Sequence, residues 1–169
     1  RGLGDVYKRQ VNDESVDMLV KISLSHANSG ADYVCLSDMM DGRVRSVRRA
    51  FEEKGMKSTG VLSYSVKYAS SFYGPFRSAA SSAPTFGDRS SHQMDPRSDY
   101  KEAILEAELD VQEGSDILMI KPGLPYLDVL REVSSKVNRP VAVYNVSGEY
   151  SMVMAVSYTH LTLPTTCTV

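Results

Sequence analysis

Apolar positions recur along this chain in two alternating rhythms. Val16, Leu19, Val20 and Ala27 share one face at helical spacing, and Gly30 closes that run. Residues 31–36 are an apolar run of strand length. Val44, Val47 and Phe51 mark a second helix, ended by Gly55, and residues 59–66 a second strand. Residues 99–113 place Ile104, Ala107 and Val111 on one helical face before Gly114, and residues 116–120 form a third strand. Tyr126, Leu130, Val133 and Val137 mark another helix, followed by a fourth strand over 140–146. Gly30-Ala31-Asp32 and Gly114-Ser115-Asp116 open their strands in the same way, the mark of a repeated unit. Strands alternating with helices predict an α/β fold with a parallel sheet covered by helices. Strands of this kind read apolar on both faces, and chemistry collects at their C-terminal ends.

Two lysines stand at such ends. Lys67 closes Gly60-Val61-Leu62-Ser63-Tyr64-Ser65-Val66, and Lys121 closes Asp116-Ile117-Leu118-Met119-Ile120. An ammonium is strongly hydrated and belongs on a solvated face, whereas a desolvated neutral amine attacks ketones and forms an imine, a Schiff base. Two ammonium groups about 4 Å apart repel by roughly 4 kcal/mol at an effective dielectric of about 20, which drives one of them toward the neutral amine. Two unrelated lysines reaching for solvent from strand ends fit the spacing equally well. Ser37 and Asp38 follow the first strand and Ser147 the fourth. Asp41 reads as a cap for the next helix. Residues 70–98 are rich in Ser, Ala, Gly and Pro, with little periodicity. A long irregular connection there reads as a lid, and its Arg77, Arg89 and Gln93 suit a carboxylate; a surface loop with incidental arginines is the plainer alternative.

Charge and composition remove other classes. A net charge of −2 over 169 residues implies no nucleic-acid partner. No apolar run approaches the roughly 20 residues of a membrane span. Cys35 and Cys167 match no zinc or redox spacing, and Cys35 reads as a small buried hydrophobe. His26, His92 and His160 form no ligand set. A cytoplasmic location is the expectation.

The longer motifs are specific. SDMMDGRV from Ser37, LSYSVKYASSFYGPFR from Leu62, FGDR from Phe86, QMDP from Gln93, MIKPGLPYLDVLREV from Met119 and YNVSGEY from Tyr144 resemble the porphobilinogen synthase (5-aminolevulinate dehydratase) family. The resemblance covers residues 11–155. It implies a TIM (β/α)8 barrel lyase that joins two molecules of 5-aminolevulinate with loss of water, in tetrapyrrole biosynthesis. Lys67 then matches the lysine that binds the second substrate (A site), and Lys121 the lysine that forms a Schiff base with the first (P site). Arg77, Arg89 and Gln93 match lid residues that hold the A-side carboxylate, Ser147 a residue that binds the P-side carboxylate, and Tyr73 and Ser37 active-site wall positions. Glu106 matches a glutamate that binds an allosteric magnesium in many bacterial members; read without the family, it is a solvated helix residue. Zinc or magnesium serves family members, which assemble as homo-octamers. No organic cofactor is implied. His92 stands where the family usually has a tyrosine.

A complete barrel of this kind needs roughly 250 residues. The expectation is therefore an incomplete barrel of about four βα units, without the segments that carry the catalytic-metal cysteines, and inactive in isolation. Residues 1–10 and 156–169 read as tails foreign to the barrel. A Schiff-base aldolase and a non-catalytic barrel segment are the alternatives. The first calls for one lysine and a phosphate site, the second for decay of the lysine and arginine set.

Overall fold

The computed structural model describes residues 11–80 and 93–157. Four strands, β1 (Tyr33–Leu36), β2 (Gly60–Lys67), β3 (Ile117–Lys121) and β4 (Val141–Val143), pair in parallel in chain order. The helices are α1 (Asn12–Asn28), α2 (Arg43–Glu53), α3 (Gly74–Ala79), α4 (Tyr100–Gln112), α5 (Leu127–Lys136) and α6 (Ser147–Ser157), with 3-10 turns at Ser71–Tyr73 and Leu124–Tyr126. The predicted alternation holds. Each lysine is the last residue of its strand, as expected. Two predictions shift. The fourth strand is three residues long rather than seven. The segment after residue 70 is partly helical rather than irregular.

The repeated Gly-x-Asp entries share a glycine stop, and their aspartates act through different atoms. Gly30 and Gly114 follow α1 and α4 with φ of 90° and 102°, a left-handed stop that favours glycine. The aspartates then tie the strands together. Asp32 O accepts from Gly60 N–H at 2.8 Å, and Asp116 Oδ2 accepts from Val61 N–H at 2.8 Å.

Helices α1, α2, α4 and α5 pack on one face of the sheet. Val34, Leu36 and Val61 close a cluster with Val44, Val47 and Phe51. Val66, Leu118 and Ile120 close a second with Ala103, Ala107, Val129 and Val133. The registers Leu36↔Ser63, Ser63↔Leu118 and Leu118↔Val141 put both clusters on the same side. Strand alternation turns Cys35 and Tyr33 to the opposite face, where both are exposed. Cys35 is thus not the buried hydrophobe expected from its apolar surroundings: it sits out of phase with Val34 and Leu36, on the face the helices leave bare. Asp41 also departs from expectation. Residue Gly42 is the N-cap of α2 with no side-chain cap bond, and Asp41 N–H instead donates to Asn12 Oδ1 at 2.8 Å.

One irregularity decides where Lys67 points. Between Ser63↔Leu118 and Val66↔Ile120, β2 advances three residues while β3 advances two. This β-bulge flips the alternation, because a shift of one residue exchanges faces. Ser63 and Val66 both face the helices, and Lys67 emerges on the open face in register with Lys121.

Candidate active site

The C-terminal ends of β2 and β3 bring the two lysines side by side: Lys67 and Lys121 are direct register partners. Both are half-buried. Tyr64 lies between them, its ring centroid 5.8 Å from Lys67 Nζ and 5.3 Å from Lys121 Nζ. Tyr144 faces Lys121 at 4.0 Å and Tyr73 at 5.5 Å. Lys67 Nζ also donates to Ser37 O, at the end of β1. Two amines thus sit side by side among phenol rings whose faces contact a cation.

The backbone around this pair is pinned. Tyr68 N–H donates to Lys121 O at 2.9 Å, and Met94 N–H to Lys67 O at 3.0 Å. Tyr68 is buried and stacked on Tyr126, centroids 4.0 Å apart, and burial, followed by its neighbour Tyr126, pushes its phenol up to about 12. Tyr73 OH donates to Tyr68 O at 3.1 Å, and the Arg77 guanidinium sits 5.1 Å over the Tyr73 ring. Ser147 Oγ accepts from Phe76 N–H at 3.0 Å, joining α6 to α3. Gln93 is buried beside Met94. Among the described residues, its Oε1 and the Nε of Arg77 have no hydrogen-bond partner.

Of the residues expected at the site, Lys67, Lys121, Ser37, Tyr73, Arg77, Gln93 and Ser147 all lie around the C-terminal strand ends. Arg89 and His92 fall outside the described residues. Glu106 is elsewhere, half-buried on α4 behind the sheet. Its carboxyl is pushed up by burial first, then by Asp110, with Asp41 and Glu102 adding to the effect and Arg43 opposing it.

Two groups were missed from sequence. Arg43, 4% exposed, donates to Asp110 Oδ2 at 3.1 Å, Ser63 Oγ at 2.8 Å and Met40 O at 3.2 Å, and lies 3.4 Å from Asp38 Oδ1. It locks the turn after β1, which carries Ser37, to β2 and α4. Glu149 is 1% exposed and holds the turn after Lys121. A glutamate three residues into a helix is a cap signal in any sequence; nothing in the sequence pairs Arg43 with an aspartate 67 residues away.

With this geometry in place, comparison with known proteins is direct. The family model described as delta-aminolevulinic acid dehydratase matches residues 2–163. The delta-aminolevulinic acid dehydratase of Methanothermobacter thermautotrophicus is 59% identical over 145 residues, covering 86% of this chain and 44% of that protein. The chloroplastic enzyme 1 of Arabidopsis thaliana is 53% identical, covering 86% of this chain and 34% of its own length. The crystal structure of the Toxoplasma gondii enzyme, a porphobilinogen synthase in complex with its reaction product porphobilinogen, superposes with a TM-score of 0.88 at 50% identity, covering 93% of this chain and 45% of that one. The chain spans about half the length of the relatives it matches, or less.

Proposed function

The chain belongs to the delta-aminolevulinic acid dehydratase family, and we propose that it carries the imine-forming part of a porphobilinogen synthase site, on four βα units (residues 11–155) of a TIM (β/α)8 barrel. The reaction is a hydro-lyase condensation of two 5-aminolevulinate molecules with loss of water. The observation that carries this reading is the register pair Lys67↔Lys121 on adjacent strand ends. Each lysine amine adds to a substrate ketone; the carbinolamine takes up a proton from solvent on its hydroxyl, which leaves as water, and the resulting protonated imine activates the adjacent carbon. Lys121 holds the first substrate and Lys67 the second. Ser37 and Tyr73 line the pocket. Arg77, Gln93 and Arg89 take the A-side carboxylate and Ser147 the P-side one. An unsatisfied buried polar atom costs about 1–3 kcal/mol, and a bound carboxylate would satisfy the Arg77 Nε–H.

The family resemblance implies a magnesium at Glu106, whose carboxyl is pushed up by burial and by Asp110, Asp41 and Glu102 and held down by Arg43. No group of three His, Cys, Asp or Glu residues able to hold a metal ion occurs among the described residues, so the described donors make no closed site for Mg2+ or Zn2+, and no step runs through either. No described helix is long and apolar enough to cross a membrane. The family resemblance supports a cytoplasmic homo-octamer.

The test is borohydride trapping with 5-aminolevulinate, followed by peptide mapping. The 169-residue chain is compared with a hybrid in which residues 11–155 replace the matching stretch of the Methanothermobacter relative. Reduced adducts on Lys121 and Lys67 of the hybrid are expected. A folded hybrid with neither lysine labelled would overturn the reading in favour of a non-catalytic barrel segment.

A further inference from the structure

Glu149 is buried too completely for an ordinary helix glutamate. A carboxylate at 1% exposure survives only when its oxygens are satisfied. One oxygen reaches back along its own chain, accepting from Val146 N–H at 2.6 Å at the start of α6. That bond is the familiar reach of a first-turn glutamate to the N-cap amide. The rest leaves the helix. Gly123 N–H donates to Oε1 and Oε2 at 3.1 and 3.3 Å, and Leu124 N–H donates to Oε1 at 2.5 Å. These amides open the turn that follows Lys121 and the fully buried Pro122. Proline offers no N–H of its own, so the Glu149 carboxylate is the first hydrogen-bond anchor after the lysine.

The opposite side of Lys121 is held by the sheet, through its carbonyl and Tyr68 N–H. Packing leaves the turn no slack. A Cβ built on Gly123 would stand 2.4 Å from both Asn145 Oδ1 and Val143 Cγ1. The same carboxylate that holds Gly123 and Leu124 also holds Val146, the neighbour of Ser147. One buried group therefore fixes the strand end bearing Lys121 against the helix start bearing Ser147.

We propose that Glu149 is a positioning residue that sets the Lys121 amine relative to the Ser147 hydroxyl. It touches neither substrate nor reacting atom and acts through the backbone of residues 122–124 and 146. The inference deepens the imine reading and rests on it only for what the positioned amine does. Glu149→Gln keeps size and shape but turns one of the acceptor oxygens into a donor facing backbone N–H groups. Gly123→Ala moves the same turn independently, by the clash at Asn145 and Val143.

The first measurement needs no substrate. Trace acylation of the 169-residue chain across a pH series, with peptide mapping, reads each lysine separately, and Lys67 is the internal reference. Both variants are expected to change the acylation rate of Lys121 several-fold, with Lys67 unchanged. Equal changes at both lysines, the signature of general loosening, would overturn the proposal, as would no change at either. The second measurement is 5-aminolevulinate trapping in the hybrid. A misplacement of about 1 Å costs on the order of a hundredfold, so a loss of that order at Lys121 with Lys67 retained is expected. If the unsubstituted hybrid labels neither lysine while the acylation result stands, the function reading fails and the positioning role does not.

Discussion

Lys67 and Lys121 are register partners, yet the chain secures their strand ends by opposite means. The Lys67 end rests on a buried cation. Arg43 gathers Asp110, Ser63 and Met40 O behind the sheet, close to Asp38, and so fixes the turn whose Ser37 carbonyl meets the amine. The Lys121 end rests on a buried anion, Glu149, which binds only backbone amides. The first device is a side-chain network spread over three elements. The second is a cap that has taken on a second turn. The difference teaches that equivalent positions on adjacent strands need not share supporting chemistry, and that each lysine can be disturbed without the other.

The largest expected effect comes from the bulge that makes the pair. Residues 64 and 65 together oppose Met119, since Ser63 and Val66 flank one residue more than Leu118 and Ile120 do. Inserting one alanine between Val66 and Lys67 moves Lys67 one position along the alternation and turns it toward the helices. Borohydride trapping in the hybrid should then lose the Lys67 adduct and keep Lys121. Retained labelling at Lys67 would mean that its place in the alternation after the bulge does not set its face.

Breaking the buried cation comes next. Arg43→Met leaves Asp110 and Asp38 without their cation, and removal of one partner of a buried pair costs about 3–5 kcal/mol. Urea unfolding of the chain followed by circular dichroism should show a loss of unfolding free energy of that size. A loss below about 1 kcal/mol would place the pair among exposed ion pairs, against its burial.

These two cases mark what was legible in the sequence. The alternation of elements was, because Val44, Val47 and Phe51 or Leu118 and Ile120 carry their period in the chain itself. The placing of the two lysines at strand ends was too, since each closes an apolar run. The bulge was not, since Ser63 to Val66 reads as an unbroken strand and only the partner strand reveals the extra residue. Cys35 was misread because an apolar run announces burial without saying which face the helices cover. The Arg43–Asp110 pair joins helices whose contact no local pattern encodes.

The smallest effect tests how far the Arg43 network reaches. Glu106 lies on α4 one turn before Asp110, and its carboxyl is raised chiefly by burial, then by Asp110, with Arg43 working the other way. A carboxyl raised in the folded state keeps its proton there to higher pH than in the unfolded chain. Its favourable contribution is complete below the unfolded value and is lost as pH rises through the folded one, because the unfolded chain then binds fewer protons. Stability should therefore fall slightly with rising pH just above the ordinary glutamate range, and Glu106→Gln should flatten that slope. In the Arg43→Met background the opposing cation is gone, so the Glu106 carboxyl should rise further and the slope should extend to higher pH. Urea midpoints across that range, measured for the two single variants and the double, read the coupling directly. An unchanged slope in the Arg43→Met background would confine the network to Asp110 and Ser63, and would leave the cation that supports Lys67 without influence on the anionic site behind it.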